Sequence, residues 1–225
     1  MVQFNALLFD LDGTLLDTAP DFITSINLQL KAHNKAPLPA ELIRTSVTNG
    51  SVGLVQSAFK TTPEEPGFEA LRKELLSIYL QHLADDTALF IGLKELLDTC
   101  NNRSIPWGIV TNKPWLYTEA TLRQLHLLEP AACVICPDHV RLPKPNPEAL
   151  HLACQQIGIE VGECIFIGDH VRDIEAGKRA GMRTIELERL GFTVAWTAIP
   201  PSISPMNRIL LAHRPEREVG ANVSG

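Results

Sequence analysis

Short, continuous apolar runs alternate along the chain with longer stretches in which apolar residues recur every three or four positions. Such continuous runs are typical of strands that are buried on both faces of a parallel sheet. They occupy residues 6–9, 107–110, 133–135 and 164–167, and a last core strand is expected around residues 181–185. Between them, sets such as Leu93, Leu96 and Cys100 predict helices with one apolar face. This order predicts an α/β fold, a Rossmann-like parallel sheet with helices on both faces.

One long segment after the first strand breaks this alternation. It carries helical patterns and no convincing strand, and Phe22, Ile26 and Leu30 share one face of its first helix. A strand delivers the chain to the carboxyl edge of the sheet, so we expect the segment to form a small all-helical cap beyond that edge. The predicted organisation is an α/β core of residues 1–17 and 87–190, a helical cap of residues 18–86, and an irregular C-terminal tail of residues 191–225.

Composition and charge narrow the classes of partner. The 225 residues are 45% hydrophobic and 20% charged, which is typical of a globular chain, and the formal net charge is −6. A nucleic-acid-binding protein needs a basic surface, so we expect no nucleic-acid partner. No apolar run reaches the roughly 18 residues of a membrane helix, and the first residues do not resemble a signal peptide. We expect a cytoplasmic protein without a membrane partner, either a monomer or a weak homodimer.

Five cysteines are spread along the chain, and two of them, Cys133 and Cys136, have the spacing of a CxxC motif. A second pair, which would complete a zinc site, is missing from the sequence. All five cysteines lie among apolar residues. This favours reduced, buried thiols over a redox or metal site.

The first group of candidate functional residues follows the first predicted strand. Asp10 and Asp12 are two positions apart, so both carboxylates project from the same face at the strand's end, and Gly13 permits a turn there. Two adjacent carboxylates repel each other unless a cation lies between them. A hard divalent ion such as Mg²⁺, which prefers oxygen ligands, fits this pair. The alternative is a turn with two solvated carboxylates.

Three more groups follow later strands or their loops. Thr111 and Asn112 come directly after the strand 107–110, and Asp169 and Asp173 follow the strand 164–167. Lys144 stands between two prolines, which exclude helix and hold the segment extended. Each group alone has a plain alternative: a polar turn, an exposed lysine, or acids that favour a helix N-terminus.

Together, the four groups indicate a single site. The carboxyl ends of parallel strands share one crevice, which is the usual ligand position in such folds. Four carboxylates, a lysine, a threonine and an asparagine would meet there. A divalent cation together with a phosphate group balances such a set, so the residues favour a site for Mg²⁺ and a phosphorylated small molecule.

These groups resemble the four motifs of the haloacid dehalogenase superfamily of phosphatases, in order and in spacing through about residue 185. The matching residues are Asp10-Leu11-Asp12-Gly13-Thr14, Thr111-Asn112, Lys144, and Gly168-Asp169 with Asp173. The helical segment after the first motif is similar to that superfamily's C1-type cap. The resemblance implies a Mg²⁺-dependent phosphomonoesterase that forms an aspartyl-phosphate and acts on a small phosphorylated metabolite.

The resemblance also implies a role for each matching residue. Asp10 is the implied nucleophile and Asp12 the general acid–base group, and the implied metal ligands are Asp10, the Asp12 backbone carbonyl and Asp169. The implied phosphate-binding residues are Thr111, Asn112 and Lys144. Asp173 is expected to orient metal-bound waters or Lys144. Thr14 is expected to support the turn, and His170 to be a bystander.

Within the superfamily, the chain is similar to the phosphoglycolate phosphatase group, and more narrowly to N-acetylmuramic acid 6-phosphate phosphatases of bacterial peptidoglycan recycling. The similar segments are residues 16–22, 107–114, 136–140 and 173–177. This resemblance implies N-acetylmuramic acid 6-phosphate as the substrate. The alternatives are 2-phosphoglycolate, a sugar phosphomutase reaction, and an inactive phosphate-binding module. The cap turn Asn49-Gly50-Ser51 is a candidate for contacting the organic part of the substrate; otherwise it is a plain loop between helices.

Overall fold

The continuous apolar runs form the central parallel sheet of the molecule. The computed structural model describes residues 4–47, 49–187, 189–190 and 193–194. Its strands, in chain order, are β1 (Ala6–Phe9), β2 (Leu16–Asp17), β3 (Ala88–Leu89), β4 (Trp107–Val110), β5 (Cys133–Ile135), β6 (Cys164–Gly168), β7 (Arg183–Glu186), β8 (Arg189–Leu190) and β9 (Thr193–Val194). Five of them pair in the order β5-β4-β1-β6-β7. Strand β1 is central, with Leu8 opposite Gly108 of β4 and Phe166 of β6, and these three strands run parallel.

Helices cover both faces of this sheet. The helices, in chain order, are α1 (Ala19–Ala32), α2 (Ala40–Val47), α3 (Gly50–Phe59), α4 (Phe68–Gln81), α5 (Leu93–Asn102), α6 (Trp115–Gln124), α7 (Glu148–Ile157) and α8 (Val171–Ala180). Alternate residues of a strand point to opposite faces. Leu7 and Phe9 of β1 therefore pack in one buried cluster with α5, while Ala6 and Leu8 pack in another with α7. The predicted α/β fold with helices on both faces of a parallel sheet is confirmed.

Helices α1 to α4 form the cap, and they have a hydrophobic core of their own. Its buried residues include Phe22 and Ile26 of α1, Leu54 of α3, and Leu75 and Tyr79 of α4. The two chain crossings between core and cap pair with each other as the antiparallel strands β2 and β3. The cap therefore stands at the carboxyl edge of the sheet on a paired connection.

A buried carboxylate ties the two crossings together. Asp21, in the first turn of α1, accepts hydrogen bonds from the backbone N–H groups of Ala84 and Asp86, each at 2.8 Å. The Thr87 hydroxyl donates to the same carboxylate. Since Ala84, Asp86 and Thr87 lie on the return crossing just before β3, the position of the cap is fixed by specific bonds as well as by packing.

Only a small part of the predicted tail lies in the described part of the chain. Residues 193–194 pair with residues 189–190 as the antiparallel strands β8 and β9. The rest of the segment 191–225 lies outside the described residues, so its irregularity stays a prediction. Among the helices described above, none is both long and apolar enough to cross a bilayer.

All five cysteines are free and buried. Burial raises the pKa of the Cys133 thiol to about 12 and that of Cys136 to about 11. A reactive or metal-binding cysteine requires an accessible thiolate, which burial disfavours. The structure therefore supports the interpretation of the CxxC pair as buried thiols.

Candidate active site

The polar residues that follow the strands gather at the carboxyl edge of the sheet. Asp10 extends β1, and its N–H donates to Ile167 of β6 at 2.8 Å; Thr111 extends β4, and its N–H donates to Ile135 of β5 at 2.9 Å. A cavity of about 410 Å³ lies between this edge and the cap. The core residues from the sequence prediction that line it are Asp10, Asp12, Thr111, Asn112, Lys144 and Asp169. The structure thus brings residues from four separate segments to one cavity.

A buried lysine lies at the centre of the acidic group. The Lys144 ammonium nitrogen lies 2.7 Å from Asp10 Oδ1 and 2.7 Å from Asp173 Oδ1. It also donates to the Val110 carbonyl oxygen at 2.7 Å, and the lysine side chain is 1% exposed. All three ammonium hydrogens therefore have acceptors nearby. Lys144 acts on the cavity through its charge and holds two of the carboxylates in place.

Even with Lys144 present, the carboxylates around it leave an excess of negative charge. Asp10, Asp169 and Asp173 each offer a carboxylate oxygen, and these oxygens lie within 4.8 Å of one another. Burial raises the pKa of Asp10 to about 7; Lys144 opposes this shift, while Asp173 and Asp169 add to it. A cluster of oxygens whose charges repel each other suits a hard divalent cation. The residues present therefore fit the predicted Mg²⁺.

Asp173 reaches the cluster of carboxylates because Gly168, against which it packs, has no side chain. A Cβ atom on Gly168 would lie 2.4 Å from the Asp173 Cβ, so only glycine permits this approach. Asp173 Oδ2 also accepts a hydrogen bond from the His170 N–H, and His170 Nδ1 accepts one from the Arg172 N–H. These bonds cap the N-terminus of α8. His170 has a structural role here, and Asp173 contacts Lys144.

Asn112 binds the backbone of Lys144. Its Nδ2 donates to the Lys144 carbonyl oxygen at 2.8 Å, and its Oδ1 accepts from the Lys144 N–H at 3.0 Å. Both ends of the amide are thus engaged, so the side chain positions Lys144 in this arrangement. A direct contact between Asn112 and phosphate stays a prediction.

Thr111 lines the cavity at the edge of the sheet. Its Oγ1 accepts a hydrogen bond from the Lys113 N–H at 3.1 Å. A hydroxyl can also donate one hydrogen bond, and no acceptor among the described residues takes one from this hydroxyl. The Thr111 side chain is therefore available to donate to an anion.

The first motif forms a turn that is linked to the strand beside it. Gly13 has a φ of 89°, which is the left-handed region that favours glycine. The Thr14 hydroxyl donates to Asp169 Oδ1 at 2.9 Å. The expected support from Thr14 thus spans two motifs, because it joins the turn after β1 to the end of β6.

A second buried cation at the site, Lys113, was not among the functional residues predicted from the sequence. Its Nζ lies 2.9 Å from Asp12 Oδ1 and donates to the Tyr79 hydroxyl oxygen at 2.7 Å. Burial opposes its charge, but Asp12 and Tyr79 outweigh this effect and raise its pKa above the ordinary lysine value. The signal in the sequence was its place directly after Thr111-Asn112. Tyr79 gave no such signal, because its spacing marked it as part of the apolar face of α4.

The cap supplies the opposite wall of the cavity. The predicted turn residues Asn49, Gly50 and Ser51 all line it, together with Arg72 of α4. Gly50 and Ser51 belong to the first turn of α3, with Asn49 just before it, so the structure places a helix N-terminus at the cavity rather than the expected loop turn. Its role in recognition stays a prediction.

The parallel core, the helical cap and the acidic site with its buried lysine agree with one protein class. The chain belongs to the haloacid dehalogenase-like hydrolases, whose family profile matches residues 4–181.

Two curated relatives and one solved structure give a narrower comparison. An N-acetylmuramic acid 6-phosphate phosphatase of Pseudomonas putida is 42% identical over 206 residues, which cover 92% of this chain and 89% of that protein. A phosphoglycolate phosphatase of Xanthomonas campestris is 36% identical over 180 residues, covering 80% of this chain and 81% of the relative. A crystal structure described as a predicted phosphoglycolate phosphatase from Haemophilus somnus has a TM-score of 0.72 and 27% identity, covering 83% of this chain and 86% of that one.

Proposed function

We propose that this protein is a phosphoric monoester hydrolase that uses Mg²⁺ and forms an aspartyl-phosphate at Asp10. The observation that carries the proposal is the meeting of Asp10, Asp12, Thr111, Lys144 and Asp169 at one cavity. Membership of the hydrolase family and the phosphatase relatives support the same reaction class.

Asp10 and Asp169 would hold the metal ion, together with the backbone carbonyl of Asp12. The crowded carboxylate oxygens, and the raised pKa of Asp10, are the features that favour a cation here. When bound, Mg²⁺ would screen the charge of the nucleophile from that of the substrate and stabilise the transferred phosphoryl group.

The reaction would proceed in two displacements at phosphorus. A carboxylate oxygen of Asp10 attacks the phosphorus atom and the ester bond breaks, while Asp12 gives a proton to the departing alkoxide. Asp12 then takes a proton from a water molecule. That water attacks the phosphorus of the aspartyl-phosphate, which releases inorganic phosphate and restores Asp10.

Thr111 and Lys144 would act on the phosphoryl oxygens. The Thr111 hydroxyl donates a hydrogen bond, and the Lys144 ammonium group attracts the anion while it remains close to Asp10 and Asp173. Such charges, held in place before the substrate arrives, stabilise a transition state without the cost of reorganisation. Asn112 would keep Lys144 in position through its backbone.

The preferred substrate that we propose is N-acetylmuramic acid 6-phosphate. The 42% identity to the Pseudomonas putida relative supports it, since the match extends over both core and cap. The cavity of about 410 Å³ has room for an organic group larger than glycolate, and Asn49, Ser51 and Arg72 provide polar contacts on its cap side. The Xanthomonas campestris relative makes 2-phosphoglycolate the second candidate.

A substrate panel with Mg²⁺ tests both the proposed reaction class and the proposed substrate. Phosphate release is measured with N-acetylmuramic acid 6-phosphate, N-acetylglucosamine 6-phosphate, 2-phosphoglycolate and simple sugar phosphates. We expect the highest kcat/KM for N-acetylmuramic acid 6-phosphate. A higher value for 2-phosphoglycolate would change the substrate assignment and leave the reaction class intact. Transfer of the phosphoryl group to a sugar, or no phosphate release from any compound, would contradict the reaction class.

A further inference from the structure

The underside of the cap encloses the Lys113 ammonium group. The aromatic rings of Phe22 in α1 and Tyr79 in α4 stack with their centroids 3.9 Å apart and their planes within 5°. Lys113 Nζ lies 4.9 Å from the Tyr79 ring centroid and 5.4 Å from that of Phe22. The nitrogen also donates to the Tyr79 hydroxyl oxygen at 2.7 Å, so it lies at the hydroxyl edge of that ring and not over its face. A lysine of the core is thus held by two helices of the cap.

The backbone of Lys113 is held as well. Its N–H donates to Thr111 Oγ1 at 3.1 Å, and its carbonyl oxygen accepts from the Thr118 hydroxyl at 3.1 Å. The whole residue is 7% exposed. Since both the backbone and the ammonium group are fixed, the nitrogen has little freedom to turn toward a substrate in the cavity.

The contact of Lys113 with Asp12 determines which carboxylate oxygen of Asp12 is left for the reaction. Lys113 binds Oδ1 at 2.9 Å, and the Asp12 side chain is 28% exposed and lines the cavity. With Oδ1 engaged by the ammonium group, Oδ2 is the oxygen of Asp12 that makes no hydrogen bond with the described residues. The lysine therefore selects one oxygen of Asp12 for proton transfer and fixes the rotamer that presents it.

We propose that Lys113 is a positioning residue that orients Asp12 for proton transfer, and that the Tyr79 hydroxyl makes this orientation depend on the seating of the cap. The inference rests on the proposed function, because it assigns a task to Asp12 in that reaction. It adds two residues from different parts of the fold, a core lysine and a cap tyrosine, that act on the reaction without touching the phosphorus.

The test compares two leaving groups. A departing alkoxide needs a proton from Asp12, whereas 4-nitrophenolate leaves without one. General acid–base catalysis contributes about 10²–10⁴-fold, so we expect Lys113→Met to lower kcat/KM for the best alkyl phosphate of the panel by about tenfold or more. The value for 4-nitrophenyl phosphate should change much less. Tyr79→Phe, which keeps the ring and removes the hydroxyl, should show the same pattern with a smaller loss, and Lys94→Met on the exposed face of α5 should show none.

A double variant tests whether Lys113 acts through Asp12. In an Asp12→Asn background there is no proton transfer left to orient, so Lys113→Met should add almost no further loss for the alkyl phosphate. Equal losses for both leaving groups, or full additivity with Asp12→Asn, would overturn the inference. If Lys113→Met does not fold, an equal loss for both leaving groups in Tyr79→Phe would overturn it too. Failure of the proposed function looks different, because the wild-type protein would then release phosphate from neither ester.

Discussion

The Lys144 ammonium nitrogen and Asp10 Oδ1 lie 2.7 Å apart at the buried edge of the sheet, although 134 positions separate them in the sequence. The lysine side chain is 1% exposed, and that of Asp10 is 12% exposed. Taking two charges out of water is costly, and their mutual attraction offsets the cost only when the geometry is good. This pair places a fixed positive charge beside the proposed nucleophile.

Replacement of Lys144 by methionine is expected to abolish phosphate release and to destabilise the fold. The change leaves the carboxylates of Asp10 and Asp173 buried near each other without their cation. Removal of one partner of a buried ion pair costs about 3–5 kcal/mol, so the free energy of unfolding in urea should fall by about that amount. The exposed pair of Lys94 and Asp98 offers a control, and Lys94→Met should change the unfolding free energy by less than about 1 kcal/mol. Unchanged stability in Lys144→Met would contradict the importance of the pair.

The pH dependence of the reaction should respond to Mg²⁺. Burial, together with Asp173 and Asp169, raises the pKa of Asp10 to about 7, so without a cation this carboxyl group is largely protonated at pH 6. Only the ionised form can attack phosphorus, and kcat/KM should therefore rise with pH through about 7 and level off above it at low Mg²⁺. A bound cation favours the ionised form, so the acidic limb should move to lower pH as Mg²⁺ increases. A limb at the same pH at every Mg²⁺ concentration would contradict this prediction.

Removal of the metal ion should stop the reaction reversibly. We expect EDTA to abolish phosphate release and Mg²⁺ to restore it. Asp169→Asn should raise the Mg²⁺ concentration needed for half-maximal rate by about tenfold or more, because it removes one charged oxygen ligand. Asp98→Asn, on an exposed helix surface, should need the same concentration as the wild-type protein. Full activity in EDTA would exclude the metal assignment.

The connection between core and cap should depend on Asp21. Its carboxylate accepts three hydrogen bonds from the return crossing, two of them from backbone N–H groups. An asparagine offers one acceptor oxygen and places an NH₂ group against a donor, so Asp21→Asn should cost about 1–3 kcal/mol of unfolding free energy. Hydrogen exchange at the amides of Ala84 and Asp86 should also become faster. Protection equal to that of the wild-type protein would contradict the role given to Asp21.

Much of the fold and of the cavity could be predicted because the information is local. Continuous apolar runs mark four of the five core strands, and Asp10, Thr111 and Asp169 each come directly after one of them. In a parallel sheet, the position after a strand places a residue at a shared edge. The sequence could therefore indicate which residues meet without any knowledge of how their side chains pair.

The pairings themselves depend on distances that spacing does not encode. Lys113 lies 34 positions from Tyr79 and 101 from Asp12, and the three meet only because the cap packs onto the core. In the same way, Asn112 is a candidate phosphate ligand by its position but binds the backbone of Lys144, 32 residues away. Tyr79 has both a ring that packs in the cap and a hydroxyl at the cavity, and helical spacing reveals only the first.

Covalent trapping at Asp10 tests the central claim most directly. The wild-type protein is mixed with its best substrate and Mg²⁺, quenched rapidly in acid, and the peptide that contains Asp10 is analysed by mass spectrometry. We predict that this peptide carries the mass of one phosphoryl group, which is absent without substrate and absent from Asp10→Asn, a variant that should also release no phosphate. A phosphoryl group on a different residue, or phosphate release by Asp10→Asn at a rate close to that of the wild-type protein, would contradict the account.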